Sequence, residues 1–155
     1  DVLVRQVIAG LTGDPAVLLD PLAARMRALS AVGRYEEAAD VRDRAAALSR
    51  ALQRQRRLDA LRHAGRLEVE VTGEGWAVVD GGLLLAAWAD GSTAPSATLD
   101  PVRASPTTPL GRDAADEVQT IASWLDARAG RIRIVECEGT LASPLPRLPS
   151  FEPAR

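Results

Sequence analysis

An arginine-rich run lies between Arg50 and Arg66, where six arginines accompany a single acid. Guanidinium groups neutralise phosphates without reading base sequence, so this run could contact a nucleic-acid backbone. The alternative is a solvated face of a long helix, and an arginine-only basic composition indicates a coding bias rather than a choice made at each position. The candidate DNA contacts are Arg50, Arg54, Arg56, Arg57 and Arg62.

A second chemistry would be metal-dependent hydrolysis, for which carboxylates must converge on one or two divalent cations. Glu68 and Glu70 occupy the polar side of one predicted strand, whereas Asp80, Asp90 and Asp100 fall in turns. This scatter is typical of solvated strand edges and turns. Because the sequence also contains no glycine-rich phosphate loop and no nucleophile with a neighbouring base, we expect no metal, no cofactor and no catalytic residue in this segment.

The remaining reactive side chains exclude further classes of site. Cys137 is the single cysteine, which excludes an internal disulfide framework and a cysteine-rich zinc site. The net charge of −2 argues against a protein that coats nucleic acid. Because no apolar run reaches the length of a membrane span and no signal-peptide pattern is found, we expect a cytoplasmic protein without membrane association.

Two helices with apolar stripes are predicted between Leu18 and Leu52, and the second of them leads into the arginine-rich run. In the second helix the stripe follows a three-four spacing through Ala38, Val41, Ala45, Leu48 and Leu52. In the first helix the stripe consists of Leu18, Leu22, Met26 and Leu29. Gly33 supplies the turn between the helices, and so short a connection favours antiparallel neighbours. The sequence therefore predicts a helical hairpin over about residues 15–64.

The hairpin belongs to a helical region that is predicted to cover residues 1–65. Apolar residues at helical spacing before Gly13 predict an initial helix. Asp14 is placed to cap the next helix, with Pro15 at its first helical position. The second hairpin helix is predicted to continue to about Arg62, with Gly65 closing it.

From Arg66 the periodicity changes to two, which is typical of strands with one solvated face. Turns at residues 72–75 and 80–82 predict a three-stranded antiparallel meander, which the segment 131–137 could join. Gly139 is predicted to start a further hairpin into residues 140–142. The residues expected to stabilise this unit are Trp76, Val78, Leu85, Trp88, Ile121 and Ile132.

Helical spacing over residues 113–128 predicts one helix that covers the sheet. The predicted fold class is therefore α+β: an N-terminal antiparallel helical hairpin, followed by a small antiparallel sheet unit over residues 66–142. A loop rich in proline, serine and threonine interrupts this unit at residues 91–110. The proline-rich tail over residues 143–155 has no periodicity and is expected to be loosely held.

The run from Tyr35 to Asp43, YEEAADVRD, resembles the core of the UVR motif. The usual form of that core is an aromatic residue, Glu, any residue, Ala-Ala, two residues and Arg-Asp. The approach VIAGLTGD, over residues 7–14, is similar to the entry that UvrC-type DNA repair nucleases place before the motif. Tyr35 stands where phenylalanine is commoner, so its hydroxyl must reach water or a partner.

The resemblance implies a non-catalytic protein-interaction region with a role in nucleotide excision repair. UVR hairpins of the UvrC family pair with the related hairpin of UvrB or with a copy of themselves, which implies a UvrB-like partner or self-association. The motif residues expected to form the contact or its framework are Tyr35, Glu36, Ala38, Ala39, Arg42 and Asp43.

A wider resemblance is to the C-terminal part of actinobacterial fusions of a DnaQ-type (DEDD) exonuclease domain and a GIY-YIG endonuclease domain. It implies that the chain is part of a longer nuclease with its catalytic domains upstream of Asp1. Four alternatives stay open: a hairpin stripe covered by the chain's own sheet, a DNA-binding accessory domain, a metal-dependent nuclease domain and a UVR-like adaptor of a chaperone-protease.

Overall fold

The computed structural model describes residues 1–93, 108–141 and 145–151. Within these residues the chain is α+β, as predicted, with helices and an antiparallel sheet following one another in sequence. The helices are α1 Val2–Thr12, α2 Ala16–Ala31, α3 Tyr35–His63 and α4 Arg112–Arg128. The strands are β1 Arg66–Val71, β2 Gly75–Asp80, β3 Leu83–Ala89 and β4 Ile132–Cys137.

Two compact units divide the chain. The first unit comprises Asp1–Gln55 together with Pro146–Arg155, and the second comprises Arg56–Leu145. The sequence placed a boundary after residue 65 and treated the tail as separate. In the structure the division falls within the long helix α3, and the tail is grouped with the helical unit.

Side-chain caps define the starts of the first two helices. The carboxylate of Asp1 accepts the backbone N–H of Leu3 over 3.1 Å at the start of α1. The carboxylate of Asp14 accepts the N–H of Ala16 over 2.9 Å, and Pro15 already has the backbone angles of a right-handed helix. The predicted cap is therefore confirmed, since Asp14 satisfies a backbone donor that the first helical turn leaves free.

The turn of the hairpin is a Schellman motif built on Gly33. The N–H of Gly33 donates to the carbonyl of Ser30 over 3.1 Å, and the N–H of Arg34 donates to the carbonyl of Leu29 over 3.0 Å. Gly33 adopts a φ of +76°, which glycine reaches without the steric cost of a Cβ atom. This geometry ends α2 and starts α3 within a few residues, as the sequence predicted for the antiparallel hairpin.

Helix α3 continues to His63, close to the predicted end. Acidic side chains lie in its first turn and basic ones in its last, which is the charge distribution that the helix dipole favours. Gly65 then adopts a φ of +61° and closes the helix, also as predicted. Within the described residues no single helix is long and apolar enough to cross a membrane. Only α1 and α2 taken together reach the necessary length and apolar composition, and this pair is bent.

The sheet has the strand order β3-β2-β1-β4, with every neighbouring pair antiparallel. Strands β1 to β3 form the predicted meander, and β4 joins it by pairing with β1. The predicted hairpin after Gly139 is not formed, because Thr140 and Leu141 lie outside any strand, and Ala142 lies outside the described residues. Gly139 and Thr140 instead donate to the carbonyls of Ala64 and His63 at the end of α3.

The core of the second unit lies between one face of the sheet and the helices α3 and α4. Its buried members are Leu61, Ala64, Leu67, Val69, Ala77, Val79, Val118, Ile121 and Ala122. The sequence identified Ile121 correctly, and Ile132 packs against this cluster. Trp76 and Trp88, also expected to stabilise this unit, are half-buried and stack on each other from paired positions of β2 and β3, with ring centroids 6.0 Å apart. The predicted loop at residues 91–110 falls largely outside the described residues.

A charged contact joins the β1–β2 turn to the far end of α4. The carboxylate of Glu74 accepts from Arg128 Nε over 2.7 Å and from Arg131 Nη2 over 2.6 Å. The hydrogen bond from Arg128, supported by the charges of both arginines, holds the pKa of Glu74 below its ordinary value of 4.5. This contact ties the β1–β2 turn to the C-terminal end of α4 and engages both carboxylate oxygens of Glu74.

Candidate partner-binding surface

The apolar stripe that the sequence predicted on α3 faces the interior of the hairpin. We call it the first seam, and it consists of Ala38, Val41, Ala45, Leu48 and Leu52. Ala38, Ala45 and Leu52 are buried, and the other two are half-buried. On α2, Leu29 is buried while Leu18, Leu22 and Met26 are half-buried, and Leu19 is the most deeply buried side chain of that helix. The first seam therefore stabilises the hairpin and is not available to a partner.

A second stripe on α3 lies one residue further along the sequence, about 100° around the helix. We call it the second seam, and it consists of Tyr35, Ala39, Arg42, Ala46, Ser49 and Gln53, at a regular four-three spacing. Exposure decreases along this seam: Tyr35 at its start is exposed, whereas Ala46 and Ser49 are buried. Adjacent seams allow one helix to contact two neighbours, which is how helices pack in a four-helix bundle.

Tyr35 is the most exposed large hydrophobic side chain of the hairpin, with 71% of its surface accessible. Val32, three residues earlier in the turn, is 69% exposed. The guanidinium of Arg34 donates to the carboxylate of Glu37 beside them. An apolar pair at the tip of a hairpin, bordered by an ion pair, has the composition of a small interface core with a polar rim.

The other motif residues are divided between framework and surface. Ala38 is 5% exposed and belongs to the first seam, where its small side chain permits close approach of the helices. Ala39 and Arg42 are half-buried, and Glu36 and Asp43 are exposed. Arg42 Nε donates to Asp43 Oδ1 over 2.9 Å, so this pair forms within the hairpin. The candidate contacts are therefore Tyr35, Glu36, Ala39, Arg42 and Asp43, with Ala38 behind them.

The C-terminal tail lies on the later half of the second seam. Ser49 Oγ donates to the carbonyl oxygen of Pro149 over 2.8 Å, and the N–H of Leu148 donates to Gln53 Oε1 over 3.1 Å. Ser49 is 7% exposed, and Leu148 is half-buried. The sequence predicted a loosely held tail. It did not indicate these contacts with α3, because segments about a hundred residues apart leave no local signature. The tail residues 142–144 and 152–155 lie outside the described residues.

The five candidate DNA contacts are in different environments. Arg50 and Arg54 are exposed, whereas Arg56 and Arg57 are half-buried, and Arg57 pairs with Asp126 over 3.0 Å. Arg62 is buried and donates to the carbonyl of Thr108. Arg62 therefore cannot reach a phosphate, and the guanidinium of Arg57 is already neutralised. A solvent-facing cationic stripe through all five positions is not formed.

Among the described residues, the acids considered as metal ligands do not converge. In the described part of the chain, no three His, Cys, Asp or Glu side chains lie close enough together to hold a metal ion. Glu70 accepts a hydrogen bond from Arg133 Nε over 2.7 Å on the neighbouring strand. Asp100 lies outside the described residues.

A comparison with protein families gives one match. The UvrB/uvrC motif, UVR, matches residues 16–51, which contain α2, the Gly33 turn and the first part of α3. The hairpin is thus similar to the UVR motif of UvrB and UvrC, and this similarity supports a protein-interaction region and a connection to excision repair. The match leaves α1, the sheet unit and the tail outside it. No curated protein and no solved structure matches the chain.

Proposed function

We propose that this chain is a non-catalytic interaction region of a UvrC-like DNA repair nuclease, and that its hairpin docks a UvrB-like protein or a second copy of itself. The observation that carries the proposal is the exposure of Tyr35, an aromatic ring at the start of the second seam, within the segment that matches the UVR motif. The proposal extends to the parent protein, which we expect to be an actinobacterial fusion with DnaQ-type and GIY-YIG nuclease domains.

The docking mechanism is completion of a helical bundle. A two-helix unit has one seam turned inward, and a partner hairpin that packs on the second seam would bury Tyr35 and Val32 together. Tyrosine is suited to this role because it supplies a large contact area with few rotatable bonds, and its hydroxyl remains able to bond at the rim. Ala39 would let the partner helix approach closely beside it.

Charged groups around Tyr35 would set the register of docking rather than its strength. Glu36 and Asp43 are exposed on the hairpin, and the ion pair between Arg34 and Glu37 lies at its tip. Exposed ion pairs contribute little to stability because solvent screens them. Across an interface, however, they favour complementary partners and disfavour others.

Light scattering on the chain, alone and mixed with purified UvrB, tests the proposal. We expect a mass above that of the monomer in at least one of the two conditions, and a return to monomer for Tyr35→Ala. Leu84→Ala is the matched control, because Leu84 is also a large exposed apolar residue but lies on β3, away from the hairpin. Equal masses for the native chain and Tyr35→Ala in both conditions would contradict docking.

Direct DNA binding is the second candidate function, and the exposure of Arg50 and Arg54 one helical turn apart on α3 favours it. Binding of this kind would weaken steeply as salt rises, because cations released from the phosphates drive it. A double variant, Arg50→Gln with Arg54→Gln, should then lower both the affinity for duplex DNA and the slope of affinity against salt. Unchanged affinity and slope would remove this candidate.

A further inference from the structure

We infer that the C-terminal tail is an autoinhibitory strap that occupies the later half of the second seam and competes with a docking partner for it. We define the strap as residues 146–151. The inference rests on the proposed docking function and adds to it a means of regulation. The observations that carry it are the two hydrogen bonds that join Ser49 and Gln53 to the strap.

The strap has a composition that suits an extended segment lying on a helix. Pro146 and Pro149 have no backbone N–H, so the segment brings few donors that burial would leave unsatisfied. The N–H of Leu148 and the carbonyl of Pro149 are the groups that meet α3, and both find side-chain partners there. No helix or strand is formed in the strap.

The second seam changes character along its length. Its first half, at Tyr35 and Ala39, offers an aromatic ring and a small side chain, which is the surface that helix packing requires. Its second half, at Ser49 and Gln53, offers a hydroxyl and an amide that can bond to the backbone of an extended chain. The strap covers only the second half, so the first half stays open for a partner helix to begin packing.

A partner helix that follows the whole second seam would run from Tyr35 to Gln53, a distance of about 27 Å at the rise of an α-helix. The strap lies across the last turns of that path, at positions that the structure shows buried. Full docking therefore requires the strap to leave. If the strap is bound about nine-tenths of the time, its removal should tighten association about tenfold, because only the open fraction is competent to bind.

The decisive experiment compares the native chain with a variant that lacks residues 146–155, by sedimentation equilibrium alone and with purified UvrB. A second variant, Leu148→Pro, removes the donor to Gln53 and leaves α3 unchanged. Its matched control is Arg147→Ala, because Arg147 is an exposed neighbour in the same segment. We expect both strap variants to associate about tenfold more tightly than the native chain and the control. A synthetic peptide of residues 145–155 should reverse the gain.

The outcomes separate the strap from the docking function. Suppose that Tyr35→Ala abolishes association, while the deletion and Leu148→Pro leave it unchanged or weaken it. This result overturns the strap and keeps the docking function. Failure of the peptide to bind the truncated chain, measured by fluorescence anisotropy without any partner, also overturns the strap. Absence of association for every variant with either probe overturns both.

Discussion

Ser49 on α3 and Pro149 in the C-terminal tail are joined by a hydrogen bond of 2.8 Å, although one hundred positions separate them in the sequence. The hydroxyl of Ser49 is the donor and the carbonyl oxygen of Pro149 is the acceptor. Because Ser49 is buried at the bond, the contact places the tail on the same stripe of α3 that begins at Tyr35. The tail is therefore part of the packing around α3.

Replacing Ser49 with alanine should loosen the tail without unfolding the hairpin. The variant loses a hydrogen bond worth roughly 1 kcal/mol and gains roughly 0.5 kcal/mol of helix propensity. We expect the free energy of unfolding to change by less than about 1 kcal/mol, while the amide of Leu148 exchanges faster with solvent. Hydrogen exchange measures this, with Ser30→Ala at an exposed position of α2 as control. Unchanged exchange at Leu148 would show that the bond does not hold the tail.

The first seam can be tested by a pair of alanines on α3. Ala45 is completely buried, and Ala47, two residues later, is exposed. Ala45→Leu adds volume to a packed contact and should lower the free energy of unfolding by about 1–3 kcal/mol. Ala47→Leu should change it by less than about 0.5 kcal/mol. Urea denaturation followed by circular dichroism compares them, and equal effects would mean that the seam is not packed.

The sequence predicted those elements whose signal is local. Apolar spacing identified the first seam, Gly33 identified the hairpin turn, alternation identified β1, and the turns at residues 72–75 and 80–82 identified β2 and β3. The second seam was missed because Arg42, Ser49 and Gln53 are polar and carry no apolar periodicity. A signal was available in the small residues Ala46 and Ser49, which continue the spacing of Tyr35 and Ala39. The tail contact had no such signal, since it depends on a meeting of distant segments.

The sequence did not show the surroundings of residues whose environment depends on tertiary neighbours. Arg62 was assigned to a solvent-facing cationic stripe, and it is buried against the segment that contains Thr108. Periodicity cannot show this, because the neighbour is 46 positions away. Trp76 and Trp88 were expected to stabilise the sheet unit, but the sequence did not show that their register across β2 and β3 stacks them on each other. In each case the deciding contact is long-range.

Gly73 in the β1–β2 turn and Gly75 at the start of β2 allow the cost of backbone strain to be distinguished from that of steric overlap. Gly73 and Gly75 both have positive φ, so alanine is strained at either position. A Cβ atom at Gly73 would meet nothing within 4 Å, whereas one at Gly75 would lie 2.1 Å from the carbonyl oxygen of Trp88. We expect Gly73→Ala to cost about 1 kcal/mol of the free energy of unfolding. Gly75→Ala should cost about 3 kcal/mol or more, because β2 must shift away from β3.

Thermal denaturation of the two glycine variants provides the measurement. The midpoint should fall by several degrees more for Gly75→Ala than for Gly73→Ala. Fluorescence of the stacked Trp76 and Trp88 should change only in the Gly75 variant, because Gly75 pairs with Ala89 next to Trp88. Equal midpoints would show that the close approach of the two strands is not maintained in solution.

The ion pairs of Glu74 predict a specific dependence of stability on pH. Arg128, and to a lesser degree Arg131, lowers the pKa of Glu74 in the folded state below 4.5. A depressed pKa contributes stability that is complete above the unfolded-state value and is lost as the pH falls through the lower folded-state value. We expect Glu74→Gln to be less stable than the native chain at neutral pH. The difference should vanish in acid, because protonated Glu74 and glutamine are then alike in charge.

Denaturation at neutral pH and at steps below pH 4.5 measures this difference, and two arginine variants locate its source. Arg128→Gln should remove more of the acid-dependent loss than Arg131→Gln, since the hydrogen bond from Arg128 is the largest cause of the pKa shift. Solvent screens both pairs, so the effect is expected to be small and to decrease as salt is added. A difference between Glu74→Gln and the native chain that stays constant through acid would assign it to packing rather than charge. Packing would then stabilise the β1–β2 turn, and the negative charge of Glu74 would not contribute.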